Sequence, residues 1–500
     1  MMNRYTYLLL LIFFLSSCNA DFLDTSPTDQ WGDKEVFSSQ SGAYAALNGI
    51  HRKMVAQYST NMMYGGEPSM CIFRDCLGED VVVPSTKNGY FVAALQWQDH
   101  RNSASETVSF PFKFYYSLIL QSNLILESIG TGVDCPFPVM DTLQLEGIRG
   151  EAYCFRAWGH FQLVQLYGKR YVAGILNSQP GVPYRESSDS SPLARASVEE
   201  CYRRIHRDLD QSIRWLERYQ PVNATHISLK VAYGLKARVY LAQQNYADCA
   251  RYAGLAIRVA ESDGCYLMSG DECLNGFSRL LSQSGEALWC ANTQDDQSVA
   301  FFSFYSFMSW NFYSSAVRNS VRCINSRLYS ELSAGDIRLR WWDPTGKIGV
   351  PSVAYRQFAY QNRKFSVENT TVSAGDYPWM RLSELYLMKA EALARSGDDA
   401  GARKVLYDFM VTRDESYQLS SFSGERLCEE IMTHRRVELW GEGFRFTDLK
   451  RLNQGLDRNN SNYLKSVASV MEVEAGSPMW EWLIPEAEIN ASMGLVVQND

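Results

Sequence analysis

The chain has 500 residues, 46% hydrophobic and 21% charged, which is globular composition with room for one large core or two to three ordinary ones. A formal net charge of −8 without any long block of Lys and Arg excludes a nucleic-acid partner and favours a neutral ligand or a protein. The 12 scattered cysteines contain no CxxC and imply no disulfide framework, while 29 Tyr, 24 Phe and 12 Trp supply more rings than a helical core alone requires.

At the start, an apolar run over residues 8–15 follows Arg4 and breaks at Ser16-Ser17-Cys18. The run is too short to span a bilayer and reads as a secretory signal over residues 1–17. A cysteine at the cut site is similar to a bacterial lipoprotein signal, with the Cys18 thiol taking the lipid and residues 18–40, polar with Pro27 and Gly32, forming a tether. Residues 41–500 read as one domain.

Helical spacing begins at 41–58, where Tyr44, Leu47 and Ile50 recur at steps of three. Residues 61–109 are rich in Gly, Pro, Asp and aromatics and predict loop with short strands or turns. One face of 112–129 carries Phe112, Tyr116, Ile119, Asn123, Leu126 and Ile129; residues 143–167 form the clearest helix, ending at Gly168. Residues 174–195 read as loop, and Ser197 with Glu200 predicts a capping box for a helix whose stripe is Cys201, Ile205, Leu209, Ile213 and Leu216.

A helix pair across 228–260 repeats at an offset of 153 residues. Tyr233, Lys236, Ala237 and Cys249 fall on Tyr386, Lys389, Ala390 and Ala402, a pattern of small residues at a helix crossing that resembles tetratricopeptide hairpins. Between the two copies, residues 264–377 lose helical period and predict a loop-rich insertion carrying the binding surface. The expected fold is therefore mainly α: a tetratricopeptide-like helical-hairpin scaffold over 41–60, 110–260 and 378–452, with a large loop-rich insertion containing short strands. Ligand-binding parts are expected in 61–109 and 264–377. Cys71 with Cys76 fits no common zinc spacing, and Cys265 and Cys273 read as buried thiols.

Several stretches in order resemble one family. They are Cys18-Asn19-Ala20-Asp21-Phe22-Leu23-Asp24, Arg149-Gly150-Glu151-Ala152 with Phe155-Arg156-Ala157, and Asp208-Leu209 after Arg195-Ala196-Ser197. The later half adds Ala237-Arg238-Val239-Tyr240-Leu241, Arg381-Leu382-Ser383-Glu384-Leu385-Tyr386, Arg435-Arg436-Val437-Glu438-Leu439 and Trp482-Leu483-Ile484-Pro485. The family they resemble is SusD/RagB, the nutrient-binding outer-membrane lipoproteins of Bacteroidota. The resemblance implies a protein lipid-anchored to the outer membrane and facing the cell exterior. It would capture oligosaccharide and pass it to a SusC-like TonB-dependent transporter. The charged residues of these motifs sit at helical spacings suited to cross-helix pairs, so they read as structural.

Sugar rings present flat C–H faces edged with hydroxyls, so a site needs aromatic planes beside amide or charged groups. Residues 90–101 and 301–313 hold both ingredients. Trp97 and Trp310 are the first candidates, followed by Tyr313, Asn311, Asp80, Arg74 and Trp341, while Phe301 to Phe307 read as core.

Catalysis is not expected. His51, His100, His160, His206, His226 and His434 form no HExxH or other local zinc motif, GxSxG is absent, and Gly346-Lys347 lacks the earlier glycine of a phosphate loop. No metal or cofactor is expected either. Two other readings of the same scaffold are binding of peptide or another nonglycan nutrient, and a repeat-type interaction scaffold without a small ligand.

Overall fold

A computed structural model describes residues 36–130, 135–297 and 301–500. The signal, Cys18 and most of the tether lie outside them. Among the described residues no helix is long and apolar enough to cross a membrane.

Four helices build the first half of the scaffold: α1 (Gln40–Lys53), α3 (Glu106–Ile129), α4 (Thr142–Tyr167) and α5 (Val198–Leu216), with α2 (Gly66–Cys76) inserted after α1. Then come α6 (Leu229–Ala242) and α7 (Tyr246–Ser262), and after the insertion α8 (Leu382–Arg395), α9 (Asp399–Met410), α10 (Gly424–Glu438) and α11 (Arg445–Arg451). Helices α3 to α8 pack each on the next, and α8 then carries α9 and α10. The repeat offset is exact at the helix starts: Leu229 and Tyr246 correspond to Leu382 and Asp399. Ala237, Ala390, Cys249 and Ala402 are all fully buried where the paired helices cross.

The long helix α4 is the spine. Every residue from 147 to 164 is buried, so the stripe expected from sequence is a helix enclosed on all sides. Glycine makes this possible: a Cβ on Gly150 would lie 2.5 Å from Cγ of Leu216 in α5, and one on Gly159 would lie 2.9 Å from Ile119 in α3. The polar residues of α4 are satisfied across the stack. Arg149 donates to the carbonyls of Ile129 (2.8 Å) and Gly130 (3.0 Å), closing the C-terminus of α3. Arg156 makes a two-toothed pair with Asp208 of α5 at 2.8 and 2.6 Å. These contacts account physically for the Arg149-Gly150-Glu151 and Asp208-Leu209 motifs.

Only half of the expected capping box forms. Ser197 Oγ accepts from the Glu200 amide at 3.1 Å, but the Glu200 carboxylate turns to Arg203 and Arg204. A larger difference lies in 61–109, where helix α2 is buried along its whole length. Its Gly-Gly-Glu-Pro start looks like a turn, yet Pro68 falls in the first turn, where a missing amide hydrogen breaks no helical bond.

The insertion contributes β1 (Ala287–Thr293), which pairs antiparallel with β2 (Gly375–Arg381) at the entry to α8. A second small antiparallel sheet orders Val81–Val82, Cys323–Ile324, Gln361–Asn362 and Trp342–Asp343. A buried ionic cluster joins insertion to scaffold. Arg381 reaches Glu286 (2.8 Å), Glu438 (2.9 Å) and Glu442 (2.7 Å); Arg413 reaches Glu286 and Glu438; Arg338 pairs with Asp336 and Glu438; Lys364 pairs with Glu442. Burial opposes ionisation of Glu438, but the Arg413 and Arg381 guanidiniums hold its carboxyl well below the ordinary range. Cys265 and Cys273 are free thiols, as are the other cysteines among the described residues.

Candidate functional site

The segment 309–314 runs beside 365–370 and is stapled to it. Trp310 N–H donates to Phe365 O (3.0 Å), Tyr313 N–H to Thr370 O (2.8 Å), and Asn311 exchanges two bonds with the Val367 backbone at 2.8 and 2.9 Å. Asn311 and Phe312 are thereby turned inward, while Trp310 stays half-buried and Tyr313 is 49% exposed. Asn311 is thus a correction: its side chain is buried and both ends of its amide hold the ribbon.

Each outward ring carries a cation. The Arg363 guanidinium lies 4.1 Å from the Trp310 ring centre, and that of Arg318 lies 4.2 Å from Tyr313. Arg363 is oriented by donating to the carbonyls of Ile348 and Gly349. Arg356 N–H donates to Arg318 O (2.8 Å), bringing a third arginine to the same rim, and Tyr355 lies 6.1 Å from Tyr313 with its hydroxyl on Asn311 O. Among the described residues none of Arg318, Arg356 and Arg363 forms an ion pair, and no aromatic ring stacks on Trp310. Phe301, at 42% exposure, extends this surface against Phe312, whereas Phe304, Tyr305 and Phe307 are core. Tyr305 opens a short helix, Tyr305–Met308, in place of regular extended chain.

Four other candidates are corrected by burial. Trp97 is 2% exposed and packs edge-on to Trp480 at 4.9 Å and His100 at 5.3 Å, so no ligand reaches it. Trp341 is 1% exposed, with its indole N–H on Cys273 O at 2.6 Å. Asp80 is spent on Arg436, at 2.5 and 3.0 Å, and its carbonyl accepts from Trp440, tying the first short strand to α10. Arg74 is buried against Glu67 and donates to Gln162 at 2.8 Å.

Arg74 does line a small pocket of about 70 Å³ between α2, α4, α6 and α11, together with Arg238, Tyr377, Arg435 and Asp448. Its charges neutralise one another, Arg74 with Glu67 and Arg435 with Asp448 at 2.8 Å, beside the rings of Trp158, Phe161, Tyr377, Trp379 and Phe444. Sequence reasoning missed Arg318 and Arg363 altogether. Arg363 meets Trp310 across 53 positions, a separation at which neither residue signals the other. One further group is assembled only by the fold: His51, Glu151 and His226 place three possible metal-ligand atoms within 4.8 Å of one another.

In sequence, residues 21–241 match a SusD-like family described as "Starch-binding associating with outer membrane", and residues 340–500 match the SusD family. No curated protein matches the chain. Among solved structures, a SusD-like carbohydrate binding protein from Bacteroides vulgatus ATCC 8482 superposes with a TM-score of 0.77 at 21% identity, covering 91% of this chain and 97% of that one. A SusD superfamily protein from Bacteroides thetaiotaomicron VPI-5482 gives 0.75 at 23% identity, covering 92% and 100%. A laminarin binding SusD-like protein gives 0.68 at 20% identity, covering 92% and 98%. At such identities the superpositions establish the helical fold.

Proposed function

The chain belongs to the SusD family, and on that premise we propose that it is a surface lipoprotein that captures oligosaccharide on the ribbon 309–314 and delivers it to a SusC-like TonB-dependent transporter. One observation carries the reading. Half-buried Trp310 and exposed Tyr313 sit on a ribbon bonded through both of their amides to 365–370, and a guanidinium lies against each ring, which holds their planes before a ligand arrives. Rigid rings give contact area at low entropic cost and suit the C–H face of a pyranose. Arg318, Arg356 and Arg363, free of carboxylate partners among the described residues, supply donors for hydroxyl or carboxylate groups at the sugar's edge.

Cys18 would carry the lipid, and the polar stretch up to residue 40 would hold the domain off the membrane. Family members bind carbohydrate at the outer membrane, and the same binding role is the one proposed for this chain. The test is calorimetric titration with a panel of neutral and uronate-containing oligosaccharides, alongside peptides of similar size. Binding of a glycan that is lost in both Trp310→Ala and Tyr313→Ala supports the reading. Peptide binding untouched by either change would replace it with the nonglycan alternative, and glycan binding untouched by either would move the site elsewhere.

A further inference from the structure

Three side chains far apart in sequence converge beneath α1. His51 lies in the last turn of α1, Glu151 in the enclosed stretch of α4, and His226 in the connection between α5 and α6. His51 Nε2 is 2.8 Å from Glu151 Oε2 and His226 Nδ1 is 3.0 Å from Oε1, while the Ile227 amide donates to Oε2 at 2.9 Å. The two imidazoles meet at 63° with centres 4.6 Å apart, both presenting a nitrogen to the one carboxylate. Glu151 is sealed from solvent, but the histidine side chains are 17% and 12% exposed, so an ion has a way in.

We propose that His51, Glu151 and His226 bind a divalent transition-metal ion, zinc by the chemistry of the donors, which fastens α1 to the scaffold. Two imidazole nitrogens with one carboxylate form a borderline donor set suited to zinc, whereas calcium and magnesium take shells of oxygen. In a tetrahedral zinc shell neighbouring donors stand about 3.3 Å apart. The two histidine–carboxylate separations need to open by only a few tenths of an ångström, and the wider ones, none above 4.8 Å, have to close around the ion. The ligands are also oriented from outside: Phe155 packs edge-on to His51 at 4.9 Å, Tyr44 lies parallel to His226 at 5.9 Å and 10°, and the Ile227 amide steadies the carboxylate. The partly exposed side leaves a fourth position for water. Spacing in sequence hides this group, because 100 residues separate His51 from Glu151 and 75 separate Glu151 from His226.

The full chain, free of any affinity tag and stripped with chelator, is titrated with zinc chloride by calorimetry and with cobalt chloride by visible spectroscopy. The variants are His51→Gln and His226→Gln, in which the amide N–H can still donate to Glu151. One equivalent of zinc is expected, with affinity weakened roughly 100-fold or more in either variant. Zinc should raise the melting temperature of the parent and of neither variant. Cobalt should give ligand-field bands without thiolate charge-transfer absorption, which separates this site from the free cysteines even if a variant fails to fold. Absence of zinc binding by the parent, thiolate bands on cobalt, or equal binding by both variants overturns the proposal.

Discussion

Two groups of arginines in this molecule, one inside the scaffold and one on the rim of the ribbon, contrast in their partners. In the interior, Arg156, Arg338, Arg381, Arg413, Arg435 and Arg451 each meet at least one carboxylate. On the rim of the ribbon, Arg318, Arg356 and Arg363 rest on rings or bond to neutral groups. A guanidinium stripped of water needs carboxylates or, as for Arg149 and Arg458, backbone carbonyls to replace its hydration, while one at the surface can remain without an ionic partner. The same residue type therefore marks a structural joint in one region and, in the proposed function, a ligand edge in the other.

The largest effect expected from breaking that contrast is at Arg381. Arg381→Met leaves Glu286, Glu438 and Glu442 short of a buried cation and should destabilise the fold by about 3–5 kcal/mol, read by denaturant melting. The paired tryptophans come next. Trp97→Ala empties a fully packed aromatic cluster and should lose about 3–5 kcal/mol of stability with glycan affinity retained in whatever folds, whereas Trp310→Ala should leave stability within about 0.5 kcal/mol and abolish binding. Equal melting curves for the two variants would erase the distinction drawn here.

Acid should act through the interior as well. His160 is fully buried, donates from Nδ1 to Arg156 O and accepts from the Arg185 amide at Nε2, and is stacked 3.7 Å on Tyr184. Burial, reinforced by Arg156, Arg204 and Arg185, pushes its imidazole down to about 3, and burial brings His100 down to about 4. Since the unfolded chain takes up these protons first, stability is whole above the ordinary histidine range and falls as pH drops from about 6.5 toward those values. At pH 5 each group should account for about 2 kcal/mol of the loss. Comparing denaturation of the parent and His160→Gln at pH 7 and pH 5 checks this, and an unchanged pH dependence in the variant would refute it. The smallest effect is at the rim: Arg363→Ala removes the cation beside Trp310 and should weaken glycan binding by about 0.5–1 kcal/mol without lowering the melting temperature.

The scaffold was legible because its signal is local and repeated. Apolar spacing marked α1, α3, α4 and α5, and the offset of 153 residues between the two repeated hairpins recurs at the starts of their helices. Helix α2 was not legible, since glycine and proline at its start are the residues of a turn, and only burial on every side makes it a helix. Of the candidate site residues, Trp310 and Tyr313 keep some exposure on the ribbon, whereas Trp97, Trp341, Asp80, Arg74 and Asn311 are packing or pairing residues.

By itself the order of amino acids determined the hairpin stack and the family, because helical period and turn chemistry act over a few neighbouring residues. Which tryptophan meets solvent, which arginine finds a carboxylate and which histidines share Glu151 were decided only by tertiary structure. Those outcomes depend on contacts between residues dozens to hundreds of positions apart, and an aromatic or charged side chain reads the same in sequence whether the fold encloses it or leaves it at the surface.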